Sequence, residues 1–170
     1  MAAGSTPAEG TGEKERPGIV KRKIVPRNPK EFGGYFVVRV LTLFFLLVVV
    51  ARSAIHLFAP DGGAQSIAGI DTSVAGGSNI IALFHQWGAI QLLFVGLMLV
   101  LFFAYKGFTP LVILFLALDA PMRALAGQMG AVESAHTPPG EALNWPVFFA
   151  ILILFAVSLM SKRSRTGQAN

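Results

Sequence analysis

Four long apolar runs dominate this chain: Tyr35 to Phe58, Asn79 to Phe103, Phe108 to about Ala126, and Trp145 to Met160. Each approaches or exceeds the roughly 17 to 25 residues that a helix needs to cross about 30 Å of hydrocarbon. Water offers such runs no stable home on a small surface. With 54% hydrophobic residues and only 14% charged ones, the composition is far from the roughly 25% charge of an ordinary soluble domain. The fold class expected is therefore all-α, an integral membrane four-helix bundle spanning residues 35–162. Because the chain has no cysteine, disulfides, thiolate metal sites, iron-sulfur ligation by this chain and cysteine nucleophiles are excluded.

The third run begins at Thr109-Pro110, a favourable helix start, and carries Pro121 inside. Pro121 removes the hydrogen bond to the Ala117 carbonyl, so the helix is expected to kink there; a break at Asp119-Ala120-Pro121 is the alternative. The fourth run is short, but Trp145 at one end and Lys162, Arg163 and Arg165 at the other are the interfacial anchors of a complete span.

Basic residues set the orientation. Lys14, Arg16, Lys21, Arg22, Lys23, Arg27 and Lys30 precede the first run, Lys106 lies between the second and third, and three more follow the fourth. The connections 59–78 and 127–144 hold Asp61, Asp71, Glu133 and Glu141 and no Lys or Arg, which places both termini in the cytoplasm of a cell (inner or plasma) membrane. The net charge of +5 is read as this topology signal, with contact to anionic lipid headgroups, and no nucleic-acid partner is expected. Residues 1–34 lack apolar content for a core and are expected to form a disordered basic tail; residues 163–170 form a second tail. The first run is too long and too far from the start for a cleaved signal and acts as an anchor.

Charge inside hydrocarbon is costly, so intramembrane polar residues define the candidate site. Asp119 lies roughly 16 Å along its helix, near the bilayer centre, with Arg123 one turn further on the same face. His85 lies roughly 9 Å and Gln91 roughly 18 Å below the outer end of the second helix. Arg52 and His56 share a face near the outer end of the first. The expected geometry gathers Arg52, His56, His85, Gln91, Asp119 and Arg123 around a cleft that opens outward. Gly88 and Gly96, near the face of His85 and Gln91, admit close approach of another helix. Trp87 points elsewhere, into the outer aromatic belt, Arg39 snorkels to the cytoplasmic surface, and His136 is solvated.

Two roles stay open for the Asp119 and Arg123 pair: a structural staple between helices, or direct handling of a ligand or proton. Arg52 and His56 are open between interfacial anchors and ligands, and Gln91 between interhelical glue and binding. No metal is predicted, since the three histidines sit in separate segments without an HExxH or four-residue His spacing. Phosphate-cradling, dinucleotide and nucleophile-elbow motifs are absent. Gly62-Gly63 and Gly76-Gly77 bound an outer connection, Ala64 to Ala75, read as an ordinary surface loop with a lid over the cleft as the alternative.

The order of features resembles the DoxX-like group of small bacterial four-helix membrane proteins over residues 35–162. The shared features are a first span ending in Phe58-Ala59-Pro60, a Gly-rich outer loop, polar residues at the start of the second span (His85-Gln86-Trp87-Gly88-Ala89-Ile90-Gln91), and a third span ending in Asp119-Ala120-Pro121-Met122-Arg123-Ala124-Leu125-Ala126-Gly127. That resemblance implies association with membrane redox complexes or quinone-linked enzymes, with quinone the one cofactor it suggests. The chain departs from it in its long basic tail and lack of cysteine. The function expected from the residues is non-enzymatic: binding of a small lipophilic or anionic ligand in the outer cleft, or service as an accessory subunit of a membrane-protein partner or homo-oligomer. A quinone-linked oxidoreductase subunit and an oligomeric transporter are the alternatives.

Overall fold

The computed structural model describes residues 23–160, so most of the expected basic tail, and Lys162, Arg163 and Arg165 after the fourth run, lie outside the described residues. Among the described residues the chain is all-α. Helix α1 covers Phe36–Phe58, α2 Gly77–Ala104, α3 Thr109–Met129, and α5 Asn144–Ser158, with a single turn α4 at Pro139–Ala142 just before it. Three of these, α1, α2 and α3, are long and apolar enough to cross a membrane. Helix α5, at 15 residues, is about 23 Å long and falls short of roughly 30 Å of hydrocarbon by itself.

The boundaries follow local chemistry. Helix α3 starts with Pro110 in its first turn, where the missing N–H is not needed, and continues through Pro121 to Met129; Gly130, with extended backbone, ends it. The alternative break at Asp119-Ala120-Pro121 is not what the chain does. Between α2 and α3 a single 3-10 turn, Lys106–Phe108, reverses the chain.

Packing divides the helices into two close pairs, α1 with α2 and α3 with α5, joined by thinner contacts. Val38, Leu46, Val95, Met98, Phe102, Val112, Ile113, Leu116, Ile151 and Leu154 form the shared apolar core. Outward faces remain apolar as well, with Phe44, Leu93, Leu97 and Ile153 exposed, the all-round pattern of helices surrounded by lipid. Gly88 explains the tight α1–α2 pair: a Cβ there would stand 2.5 Å from the Leu57 nitrogen and 2.8 Å from the His56 carbonyl carbon. Gly96, by contrast, has open space around it.

Arg39 does not reach past the helix ends. Its guanidinium donates to the Phe102 carbonyl (3.1 Å) and to Thr109 Oγ1 (3.2 Å) and lies over the Phe102 ring, so it satisfies an end carbonyl of α2 and binds three helices at their Lys106 end. The segment before α1 joins this junction, since Pro29 accepts from the Gly107 N–H at 2.8 Å and Phe32 packs on the core.

At the opposite end the connection after α1 is a built turn. Asp61 accepts hydrogen bonds from the N–H groups of Gly63, Gln65 and Ser66 and from the Ser66 hydroxyl. Those bonds, Ser66 N–H first and Gly63 N–H next, hold the Asp61 carboxyl down at about 2 from the usual 3.8. His136 is exposed, as expected, and also lies over Gly69 with Nε2 3.3 Å from the Ile67 carbonyl, while Ala135 N–H donates to the Gly69 carbonyl; the two connections at this end are thereby tied together.

Two outcomes follow. Gly88→Leu should lower stability by about 1 to 3 kcal/mol or prevent folding, whereas Gly96→Ala should be neutral or gain about 0.5 to 1 kcal/mol; unfolding midpoints in a mild detergent compare them. Because Asp61 is depressed in the folded state, its stabilisation is complete above about 4 and disappears as the pH falls through about 2. The thermal midpoint should drop across that window, and Asp61→Asn should flatten the drop.

Candidate functional site

The helices bring one polar residue after another to a common level. Along α1, Arg52 shares a face with Val49, Val48 and Phe45; along α2, Gln91 shares one with Phe94 and Met98; on α3, Asp119 stands above Leu116 and Phe115; on α5, Asn144 stands above Val147, Phe148 and Ile151. All of these border one cavity of about 280 Å³, which Arg123, Ala120, Pro139, Gly140 and Leu143 close on the side of the 130–143 connection. In every helix the polar residue lies toward the 59–76 and 130–143 connections, and the apolar ones follow toward the Lys106 end, for about two turns, roughly 10 Å, in α1, α2 and α5 and about one turn in α3. The cavity is therefore amphipathic along its own axis.

Asp119 is the centre of the polar tier. Its Oδ2 stands 3.0 Å from Arg123 Nε, one turn along the same helix, and 3.7 Å from Arg52 Nη2 on α1. Arg123 also donates from Nη1 to the Gly140 carbonyl at 3.0 Å. Arg52 Nη2 and Trp87 Nε1 are both donors and each stands 3.0 Å from the same end of the Gln91 side-chain amide, which turns its oxygen to them and its nitrogen toward Ser53 Oγ, 3.2 Å away. The Ser53 hydroxyl in turn donates to the Val49 carbonyl at 2.7 Å. Asn144 Nδ2 donates to the Ala120 carbonyl at 3.2 Å, pinning α5 to α3 beside the charges.

This tier is not sealed. Arg52, Arg123 and Asp119 side chains keep 27%, 31% and 38% of their accessible surface, and among the described residues Arg52 Nη1 and Arg123 Nη2 have no protein acceptor. Arg52 Nε, Arg123 Nε and Asn144 Oδ1 are buried without a hydrogen bond, the Arg123 Nε contact with Asp119 being an ion pair only. Two guanidiniums face one carboxylate, which leaves a net positive charge beside a cavity walled mainly by Phe, Leu, Met, Val and Ile. Chemically, such a site can hold an acceptor-bearing head while an apolar group occupies the wall below it.

Of the six candidates read from sequence, Arg52, Gln91, Asp119 and Arg123 line the cavity; His56 and His85 do not. His56 is buried and places Nδ1 2.8 Å from the Gly62 carbonyl, so that nitrogen carries the proton and donates; its ring stacks on Trp87 at 4.6 Å and meets Phe84 edge-on. His85 Nδ1 donates to the Leu57 carbonyl at 2.9 Å, satisfying one of the last acceptors of α1. Both histidines hold the end of α1 in place. Trp87 is not directed away from this group; it stands between His56 and Gln91. Asn144, Pro139 and Gly140 border the cavity without having been singled out in the sequence, where Asn144 reads only as the polar residue before an apolar run. The connection Ala64 to Ala75 contributes nothing to the cavity wall, so the covering comes from the 130–143 connection. Among the described residues no three His, Asp or Glu side chains converge as a metal site would require.

If Asp119 and Arg123 are energetically coupled, Asp119→Asn and Arg123→Gln should each destabilise the protein, while the double variant should lose less than their sum. The partial exposure of both groups sets the coupling at about 1 kcal/mol. A double-mutant cycle of unfolding midpoints measures it, and strict additivity would show that the pair does no structural work.

Compared with family models, curated proteins and solved structures, the chain finds no match in any of the three.

Proposed function

We propose that this is a multi-pass membrane protein that binds a small amphiphilic ligand in the cavity between α1, α2, α3 and α5. In this reading α5, extended by its flanking residues, makes a fourth crossing, and both termini face the cytoplasm. The absence of Lys and Arg from both outer connections, against the basic residues before α1, at Lys106 and after α5, supports that orientation. The observation that carries the binding role is the two-tier cavity, with accessible arginines at one level and an apolar chamber directly beneath. A purely structural staple needs the ion pairs but gives no account of the apolar chamber beneath them. The chain itself is read as a binding or accessory protein: His56 and His85 stand outside the cavity wall with Nδ1 on backbone carbonyls, and the polar side chains that line it are Arg52, Gln91, Asp119, Arg123 and Asn144.

Native mass spectrometry of the full chain, extracted gently from its own membrane, tests the reading. A stoichiometric small molecule is expected on the natural chain, with occupancy reduced about tenfold in Val49→Phe, which fills the chamber without touching the charges. A bare chain, or the same occupancy in both, would refute ligand binding in this cavity. The mass of the adduct also identifies a quinone if that is the amphiphile held.

A further inference from the structure

We propose that the ligand is a single-chain amphiphile with a monoanionic head, that Arg52 is its anchor, and that Asp119 sets the charge the site accepts. This rests on the cavity being a binding site.

Charge bookkeeping fixes the head. Arg52 and Arg123 face one carboxylate, and no other acidic side chain pairs with either guanidinium among the described residues, so the tier carries one uncompensated positive charge. In low-dielectric surroundings that charge is expensive until an anion meets it, and one negative charge completes the balance. A dianion would overshoot, a neutral head would leave the arginine unpaired, and a cation would be repelled.

The two arginines are not equivalent. Arg123 has two short contacts, one to Asp119 and one to the Gly140 carbonyl, each at 3.0 Å, that fix it to its own helix and to the connection above. Arg52 stands farther from Asp119, at 3.7 Å, and its other partner is the neutral Gln91 oxygen. Arg52 is thus the cation with attraction to spare, and Gln91 and Trp87 hold it in position.

The wall fixes the tail. Below Arg52 the chamber is lined by Phe45, Phe94, Phe115 and Phe148, one ring from each helix, with no charged group among the cavity-lining residues beneath the polar tier. At about 280 Å³ it lies near the lower edge of the roughly 300 to 1,000 Å³ usual for small-molecule sites. That volume takes a headgroup and the first part of one chain, the shape of a single-chain amphiphile.

The test uses the full chain in phosphatidylcholine nanodiscs at pH 8, with four probes that share one tail: dodecanoate, dodecyl phosphate, 1-dodecanol and dodecyltrimethylammonium. Saturable binding is measured after subtraction of partitioning into empty discs. Dodecanoate should bind about tenfold or more tightly than dodecanol, and the ammonium should not compete. Arg52→Gln should reduce dodecanoate to the level of dodecanol, and Arg52→Lys should recover part of the difference. Asp119→Asn, which raises the local charge by one, should shift preference to the dianionic dodecyl phosphate. Equal binding of dodecanoate and dodecanol by the natural chain would overturn the monoanion assignment and leave the cavity a binding site. Failure of all four probes to bind saturably would overturn both. Unchanged selectivity in a folded Asp119→Asn would remove Asp119 as the charge selector.

Discussion

A carboxylate set in the middle of an apolar helix cannot stand alone, and the structure is organised around how Asp119 is accompanied. Arg123 reaches it from the next turn of α3 and Arg52 from α1. Each arginine then needs further acceptors. Gln91 supplies one from α2, with Trp87 and Ser53 fixing the direction of its amide, and Gly140 supplies another from the connection before α5. Asn144 anchors the beginning of α5 to the Ala120 carbonyl next to the same carboxylate. One half-buried charge thus gathers polar groups from α1, α2, α3 and α5 at a common level.

Much of the architecture was legible in the apolar runs, because length and composition are what a bilayer selects on. The sequence reading places α1 and α2 within two residues of their bounds, and the clustering of Arg52, Gln91, Asp119 and Arg123 follows from helical spacing and depth alone. Gly88 and Gly96 mark the limit of such reasoning. Both are small residues near one face of α2, yet only Gly88 meets a neighbouring backbone, while a Cβ at Gly96 would enter open space. Periodicity specifies a face; it does not specify which point of that face a neighbouring backbone reaches.

The histidines were misplaced for a related reason. Depth and angle bring His56 and His85 near the cleft, but the unpaired carbonyls at the end of α1 and in the following turn compete for imidazole donors, and these local partners win. Nothing in a single sequence announces which carbonyls a turn will leave exposed. Trp87 was read as pointing away, yet its Nε1 meets Gln91 one turn along the same helix; His136 is exposed, as expected of a loop residue, and its contact with the Ile67 carbonyl joins segments far apart in sequence. Gly140 and Asn144 belong to a segment with no apolar period at all, and their place beside Arg123 and Ala120 depends on the path of the 130–143 connection.

The unequal pairing of the helices has a mechanical meaning. Helices α1 and α2 are locked by the backbone approach at Gly88, and α3 and α5 are packed as a second unit, while the cavity lies along the seam between them. The Arg123–Asp119 contact is internal to one unit and insensitive to their relative movement; the Arg52–Asp119 contact spans the seam and is the longer of the two. If one pair swings from the other, the Arg52–Asp119 contact opens at one end of the seam while the Arg39–Thr109 hydrogen bond holds it at the Lys106 end.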